Sequence, residues 1–150
     1  MTTGAEALVA DAFVVDASVA VKWYLPDEEY REQANYLLAR LSSGRTILAA
    51  PVLIRYEVPA VLIRAARRGR LSQDAARQAI QQFLQTGITT YHTPELITDA
   101  APLAASHDLT LYDAAYLALA RALTVPLITV DRQLAQLPGV VWLGDYSLAP

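Results

Sequence analysis

Four carboxylates stand where carboxylates are seldom found. Asp16 directly follows the apolar run AFVV, Glu57 sits inside VLIRYEVPAVLI, Asp113 inside LTLYDAAYLALA, and Asp131 ends PLITVD. A carboxylate in apolar company needs a hydrogen-bond donor, an opposite charge or a metal ion. Each of the four also has an ordinary structural role open to it. Asp16 and Asp131 follow strand-like runs and precede helical ones, which suits an N-cap. Thr110 and Asp113 fit the Ser/Thr-x-x-acid capping pattern, and Glu57 can pair with Arg64 on its own helix. Taken together, the four ask for a different chemistry. Carboxylates packed close repel one another and at neutral pH take up protons or bind cations. Hard oxygen donors without His or Cys favour Mg²⁺ or Mn²⁺. A pair of such ions is an apparatus for phosphodiester hydrolysis, one activating water and both stabilising charge on the attacking and leaving oxygens. The ions also reverse the local sign, so an acidic pocket can accept a polyanion.

The elements that must position these acids are legible as alternating short strands and longer helices. Residues 12–15, 46–50, 88–91, 126–130 and 140–143 read as strands, apolar on both faces as buried parallel strands are. Asp27, Glu28 and Glu29 open a helix whose apolar stripe runs Tyr30, Ala34, Leu37, Leu38 and Leu41 and stops at Gly44. A second helix spans about residues 52–68, with Gly69 beyond its end. Ser72 caps a third, ending at Gly87, and Thr93-Pro94-Glu95 starts a fourth. Residues 111–123 are apolar nearly all round, the mark of a helix buried in the fold. Pro59 predicts a bend in the second helix by removing one hydrogen bond and crowding the Arg55 carbonyl. Pro102 predicts a break or kink near Ala101. Such alternation gives a parallel sheet between helical layers, with ligands beyond the carboxyl ends of the strands. Three of the four acids fall at strand ends or helix starts.

Composition narrows the function classes. The 150 residues are 54% hydrophobic and 18% charged, which excludes intrinsic disorder and suits one continuous domain. With no Cys there is no disulfide, thiolate nucleophile or zinc–thiolate site, and His92 and His107 make no ligand pair. No apolar run reaches the ~18 residues of a membrane span. The start of the chain lacks a basic, uninterrupted apolar signal segment, so a soluble cytoplasmic protein is expected. Net charge is −3, yet residues 45–70 carry Arg45, Arg55, Arg64, Arg67, Arg68 and Arg70 against Glu57 alone. Arg64, Arg67 and Arg68 are either a solvated helix end, favoured there by the helix dipole, or a contact for RNA phosphates. Trp23, Tyr112 and Tyr116 read as core or rim packing.

The motifs FVVDASVAVKW, PVLIRYEVPAVL, LTLYDAAYLALA and PLITVDRQL, in that order, resemble those of the PIN-domain family, and within it the VapC-type ribonuclease toxins of toxin–antitoxin pairs. The resemblance spans residues 12–145 and leaves residues 1–11 as an N-terminal extension to one domain over 12–150. It implies a three-layer α/β/α fold with a mainly parallel sheet of about five strands. It also implies a Mg²⁺- or Mn²⁺-dependent endoribonuclease, with Asp16, Glu57, Asp113 and Asp131 as its catalytic, metal-binding quartet. Ser18 and Thr129 match hydroxyl positions that orient metal, water or phosphate; their alternatives are an N-cap and a strand-filling residue. The expected partners are an RNA substrate, a small antitoxin able to place a basic side chain in the acidic pocket, and a second copy of the chain.

Two other classes fit the residues less well. Phosphoryl transfer through an aspartyl-phosphate on Asp16 fits poorly, because phosphatases of that type want an acid where Ser18 stands. Receiver domains want a Lys after a late strand, and Lys22 is the only one. A catalytically inert PIN-like module that binds RNA or protein has no use for four mutually repelling carboxylates.

Overall fold

The computed structural model describes residues 11–146. Five strands form one sheet: β1 (Asp11–Val15), β2 (Thr46–Pro51), β3 (Thr89–Tyr91), β4 (Leu127–Thr129) and β5 (Val140–Trp142). Their order is β3-β2-β1-β4-β5 and every pairing is parallel. All five fall within a residue or two of the runs read from sequence. The reason is visible in burial. Successive strand residues point to opposite faces, and Val14 and Val15 are both fully buried, as are Leu127 and Ile128. Both faces of the central strands are therefore covered by helices.

The helices are α1 (Ala17–Ala20, continued by a 3₁₀ turn over Val21–Trp23), α2 (Arg31–Ser42), α3 (Ile54–Arg67), α4 (Gln73–Leu84), α5 (Pro94–His107) and α6 (Leu111–Leu123). Helix α6 is the innermost, with every residue from Ala114 to Ala120 buried. Two helix stops follow directly from glycine. Gly44 and Gly69 adopt φ of +75° and +77°, and the residue after each returns an N–H to a carbonyl five back, Arg45 to Arg40 and Arg70 to Ala65. This is the left-handed closure that glycine adopts without steric cost. No helix among the described residues is long and apolar enough to cross a membrane.

Several expectations need correction. Helix α2 begins at Arg31, later than the acids at 27–29. Asp27 and Tyr30 take left-handed φ of 66° and 59°, and Glu28 turns away to pair with buried Lys22 at 3.4 Å and with Arg70 at 3.3 Å. Helix α4 ends at Leu84, three residues before Gly87. Both internal prolines lie inside unbroken helices, Pro59 in α3 and Pro102 in α5, so the break near Ala101 does not occur. Each proline removes one rung of hydrogen bonding. The helices persist because their buried faces hold them: Val58 and Leu62 flank Pro59 at 0% exposure, and Ala100 precedes Pro102 at 0%. The strand-initial Asp11 pairs with Thr46, so β1 starts one residue earlier than expected. Residues 1–10, the bulk of the expected N-terminal extension, and 147–150 lie outside the described residues.

Candidate active site

Strand β1 has β2 on one side and β4 on the other, so the chain reverses its direction of winding between β1 and β4. In open α/β sheets that switch point opens a crevice at the carboxyl ends of the strands. Asp16 lies one residue past β1 and Asp131 two past β4, on the two lips of this crevice. Helix α3 brings Glu57 from its first turn, and α6 brings Asp113 from its own. A cleft of about 390 Å³ results, its walls including Asp16, Ser18, Glu57, Arg64, Asp113 and Asp131. The four carboxylates singled out in the sequence thus meet, although they come from positions up to 115 residues apart.

Two hydroxyls lock the lips together. Asp16 is 6% exposed, and its Oδ2 accepts hydrogen bonds from Thr129 Oγ1 at 2.7 Å and Ser18 Oγ at 3.0 Å. The Thr129 hydroxyl in turn accepts from the Asp131 amide at 3.0 Å, and the Ser18 hydroxyl from the Val130 amide at 3.3 Å. Ser18 is therefore not an N-cap, and Thr129, fully buried behind Asp16, does more than fill a strand. Asp16 itself occupies the N-cap position of α1 without making a capping side-chain bond.

The capping alternatives resolve differently for the other acids. Asp131 does cap: its Oδ1 accepts from the amides of Gln133 (2.9 Å) and Leu134 (3.2 Å), while its carboxylate also lines the cleft. At α6, Thr110 is the cap, its hydroxyl accepting from the Asp113 amide at 3.0 Å. The Asp113 carboxylate lines the cleft. Glu57 does not pair with Arg64. Its Oε1 accepts from the Tyr116 hydroxyl at 2.8 Å.

The electrostatics describe one interacting group. Burial pushes the Asp16 carboxyl above its ordinary range, Thr129 opposes, and the charge of Asp113 adds to the rise. Glu57 is raised by burial first, with Tyr116 opposing and Asp16 and Asp113 pushing further. Asp113 is raised by burial and then by Asp131, against the Thr110 hydroxyl. Each of these acids is harder to ionise than in water, which a cation would relieve.

Asp16, Glu57, Asp113 and Asp131 are the residues that could hold such a cation, and an all-oxygen, all-anionic donor set suits Mg²⁺ or Mn²⁺. Among the described residues no three His, Cys, Asp or Glu stand close enough to enclose one ion. The set therefore fits an ion held by one or two carboxylates with water in its remaining positions, the usual habit of Mg²⁺.

The three arginines separate. Arg64 lines the acidic cleft and has no ion-pair partner among the described residues. Arg67 lines a different groove, with Arg77 between α3 and α4, and Arg68 lies at the end of α3. Trp23 is core, its indole N–H bound to the Ala34 carbonyl at 2.8 Å, and Tyr112 is 64% exposed at the rim. Tyr116 is core too, at 0% exposure, but reading it as packing alone missed its bond to Glu57. The available signal was spacing: Asp113 and Tyr116, three apart on a helix, share a face.

A five-stranded parallel sheet flanked by helices, with clustered acids at its switch point, is the architecture of a PIN domain. The PIN domain family profile matches residues 13–140, and the chain belongs to that family. Among its relatives, "Ribonuclease VapC3" of Pyrobaculum aerophilum is 39% identical over 126 residues, covering 82% of this chain and 92% of that protein. "Ribonuclease VapC1" of Mycobacterium tuberculosis is 37% identical over 131 residues, covering 87% and 93%. Among solved structures, one from Pyrobaculum aerophilum superposes with a TM-score of 0.69 at 23% identity, covering 91% of this chain and 93% of the other. The Mycobacterium tuberculosis VapC20, described as a Sarcin-Ricin loop cleaving toxin, superposes with a TM-score of 0.64 at 20% identity, covering 87% and 97%.

Proposed function

We propose that this protein is a Mg²⁺- or Mn²⁺-dependent endoribonuclease, the toxin of a toxin–antitoxin pair, acting in the cytoplasm as a homodimer restrained by a small antitoxin. The observation that carries the reading is the meeting of Asp16, Glu57, Asp113 and Asp131 in one cleft at the sheet's switch point. Relatives named VapC ribonucleases, at 33–39% identity over most of the chain, support it.

In this reading one or two of the four carboxylates would bind the ion directly and the others would face its water shell. When bound, a divalent ion supplies positive charge that polarises the scissile phosphate and makes the attacking water more acidic. Ser18 and Thr129 keep Asp16 in one orientation by engaging its Oδ2. Arg64, the unpaired cation at the cleft, binds a phosphate of the RNA strand. Water adds to phosphorus and the P–O3′ bond breaks, leaving a 3′-hydroxyl and a 5′-phosphate. The antitoxin inhibits by presenting a basic side chain to the same carboxylates.

The test is the end chemistry of the products. Purified protein incubated with pooled structured RNA and Mn²⁺ is expected to yield fragments that ligase joins directly and kinase cannot label without prior phosphatase treatment. Fragments ending in 2′,3′-cyclic phosphate, or intact RNA across transfer, ribosomal and messenger pools, would overturn the proposal.

A further inference from the structure

We infer that Tyr116 is a positioning residue for Glu57, its hydroxyl tying the Glu57 carboxylate to α6 and so fixing how that carboxylate is presented to the cleft. This deepens the reading above and rests on Glu57 being a metal ligand.

Glu57 is the longest of the four acids and the hardest to hold. Ordering a Glu side chain costs more rotamer entropy than ordering an Asp. Its own helix lacks one rung beside it, because Pro59, two residues on, cannot donate to the Arg55 carbonyl. The turn that carries Glu57 keeps the amide bond from Glu57 to Leu53 at 3.0 Å but lacks the next-but-one rung. The missing constraint is supplied from outside the helix. Tyr116 is fully buried in the most enclosed stretch of the chain, so its ring has one place to be, and its hydroxyl reaches Glu57 Oε1 at 2.8 Å across 59 residues of sequence. The phenol O–H donates and the carboxylate oxygen accepts. Helix α6 thereby contributes twice to the cleft. It carries Asp113 directly, and one turn later it fixes Glu57 by hydrogen bond. Groups that orient a metal ligand typically influence metal affinity by about 10–100-fold.

The experiment measures Mn²⁺ binding to the metal-stripped full chain by calorimetry, for wild type, Tyr116→Phe, Glu57→Gln and the double variant. Melting in chelator is recorded alongside. Phe keeps the ring and deletes only the donor. Tyr116→Phe is expected to weaken Mn²⁺ binding about 10-fold, and the double variant to bind no more weakly than Glu57→Gln. Replacing Tyr116 with p-aminophenylalanine, whose amine donates from the same place, is expected to restore affinity, and this variant also serves if the Phe variant fails to fold. In a Pro59→Ala background the loss caused by Tyr116→Phe is expected to shrink; an undiminished loss overturns the link to Pro59. Wild-type affinity in Tyr116→Phe beside weakened Glu57→Gln overturns the positioning role, as does an additive double variant. Wild-type affinity in Glu57→Gln overturns Glu57 as a metal ligand, the part of the proposed function on which this inference rests.

Discussion

Asp113 combines a helix start and a cleft wall, and one substitution separates them. Its amide is held by the Thr110 hydroxyl, so Asn at this position retains the cap, while its carboxylate meets burial and the charge of Asp131. In chelator, Asp113→Asn is therefore expected to melt at the wild-type temperature or a few degrees higher, measured by circular dichroism; a drop of several degrees contradicts this. The pH dependence has a definite sign. Asp16, Glu57 and Asp113 have folded pKa values above their ordinary ones, so the folded state binds more protons than the unfolded. Their contribution to stability is full below the ordinary carboxylate range and is lost as pH rises through the raised values. The melting-temperature advantage of Asp113→Asn should be near zero below about pH 4, grow as pH rises above it, and vanish at neutral pH when Mn²⁺ is added to the wild type. A difference that is constant with pH would refute the electrostatic account.

At the scale of elements, α6 and α5 make opposite predictions. Thr110→Ala removes the cap of α6, and caps contribute about 1 kcal/mol, so melting should fall by roughly 4 °C. Pro102 lies exposed on α5 and denies the Thr98 carbonyl its partner, so Pro102→Ala should raise melting by a similar amount with RNA cleavage unchanged. If Pro102→Ala lowers it, the proline's restriction of the unfolded chain outweighs the missing bond. These helices also show what could be read in advance. The central strands and the Ala114–Ala120 stretch of α6 were legible because burial all round leaves long apolar runs there, and the Ser72 cap of α4 was legible because capping is local, its hydroxyl accepting from the Ala75 amide at 3.0 Å. The uninterrupted run of α3 and α5 through proline was not, since tertiary burial decides it. The delayed start of α2 was not either, because it depends on Glu28 meeting Lys22 and Arg70, the latter 42 residues away. The four acids could be picked out singly from their apolar neighbours. The pairing of Glu57 with Tyr116, in place of Arg64, is a contact between helices: spacing puts Tyr116 on the Asp113 face but does not name its partner.

For the whole molecule, charge and topology have to be reconciled. Under the proposed function a chain of net charge −3 would meet RNA through a cleft of carboxylates, with Arg64 the cation on its wall. The field of the whole protein does not attract a polyanion, so in that reading binding would depend on local cations, Arg64 among them. Arg64→Ala should weaken RNA binding several-fold at low salt, and less at high salt, with Mn²⁺ affinity unchanged. Equal RNA affinity in the variant would place the phosphate contact elsewhere. Under the proposed function four distant carboxylates form one metal-dependent nuclease centre. Its most direct test is the rate of RNA cleavage against Mn²⁺ concentration, for wild type and for Asp16→Asn, Glu57→Gln, Asp113→Asn and Asp131→Asn purified identically. Cleavage should need the metal, stop in chelator, and fall by roughly 100-fold or more in every variant. Cleavage that persists in chelator, or that survives in the Asp16→Asn and Asp113→Asn proteins, would contradict it.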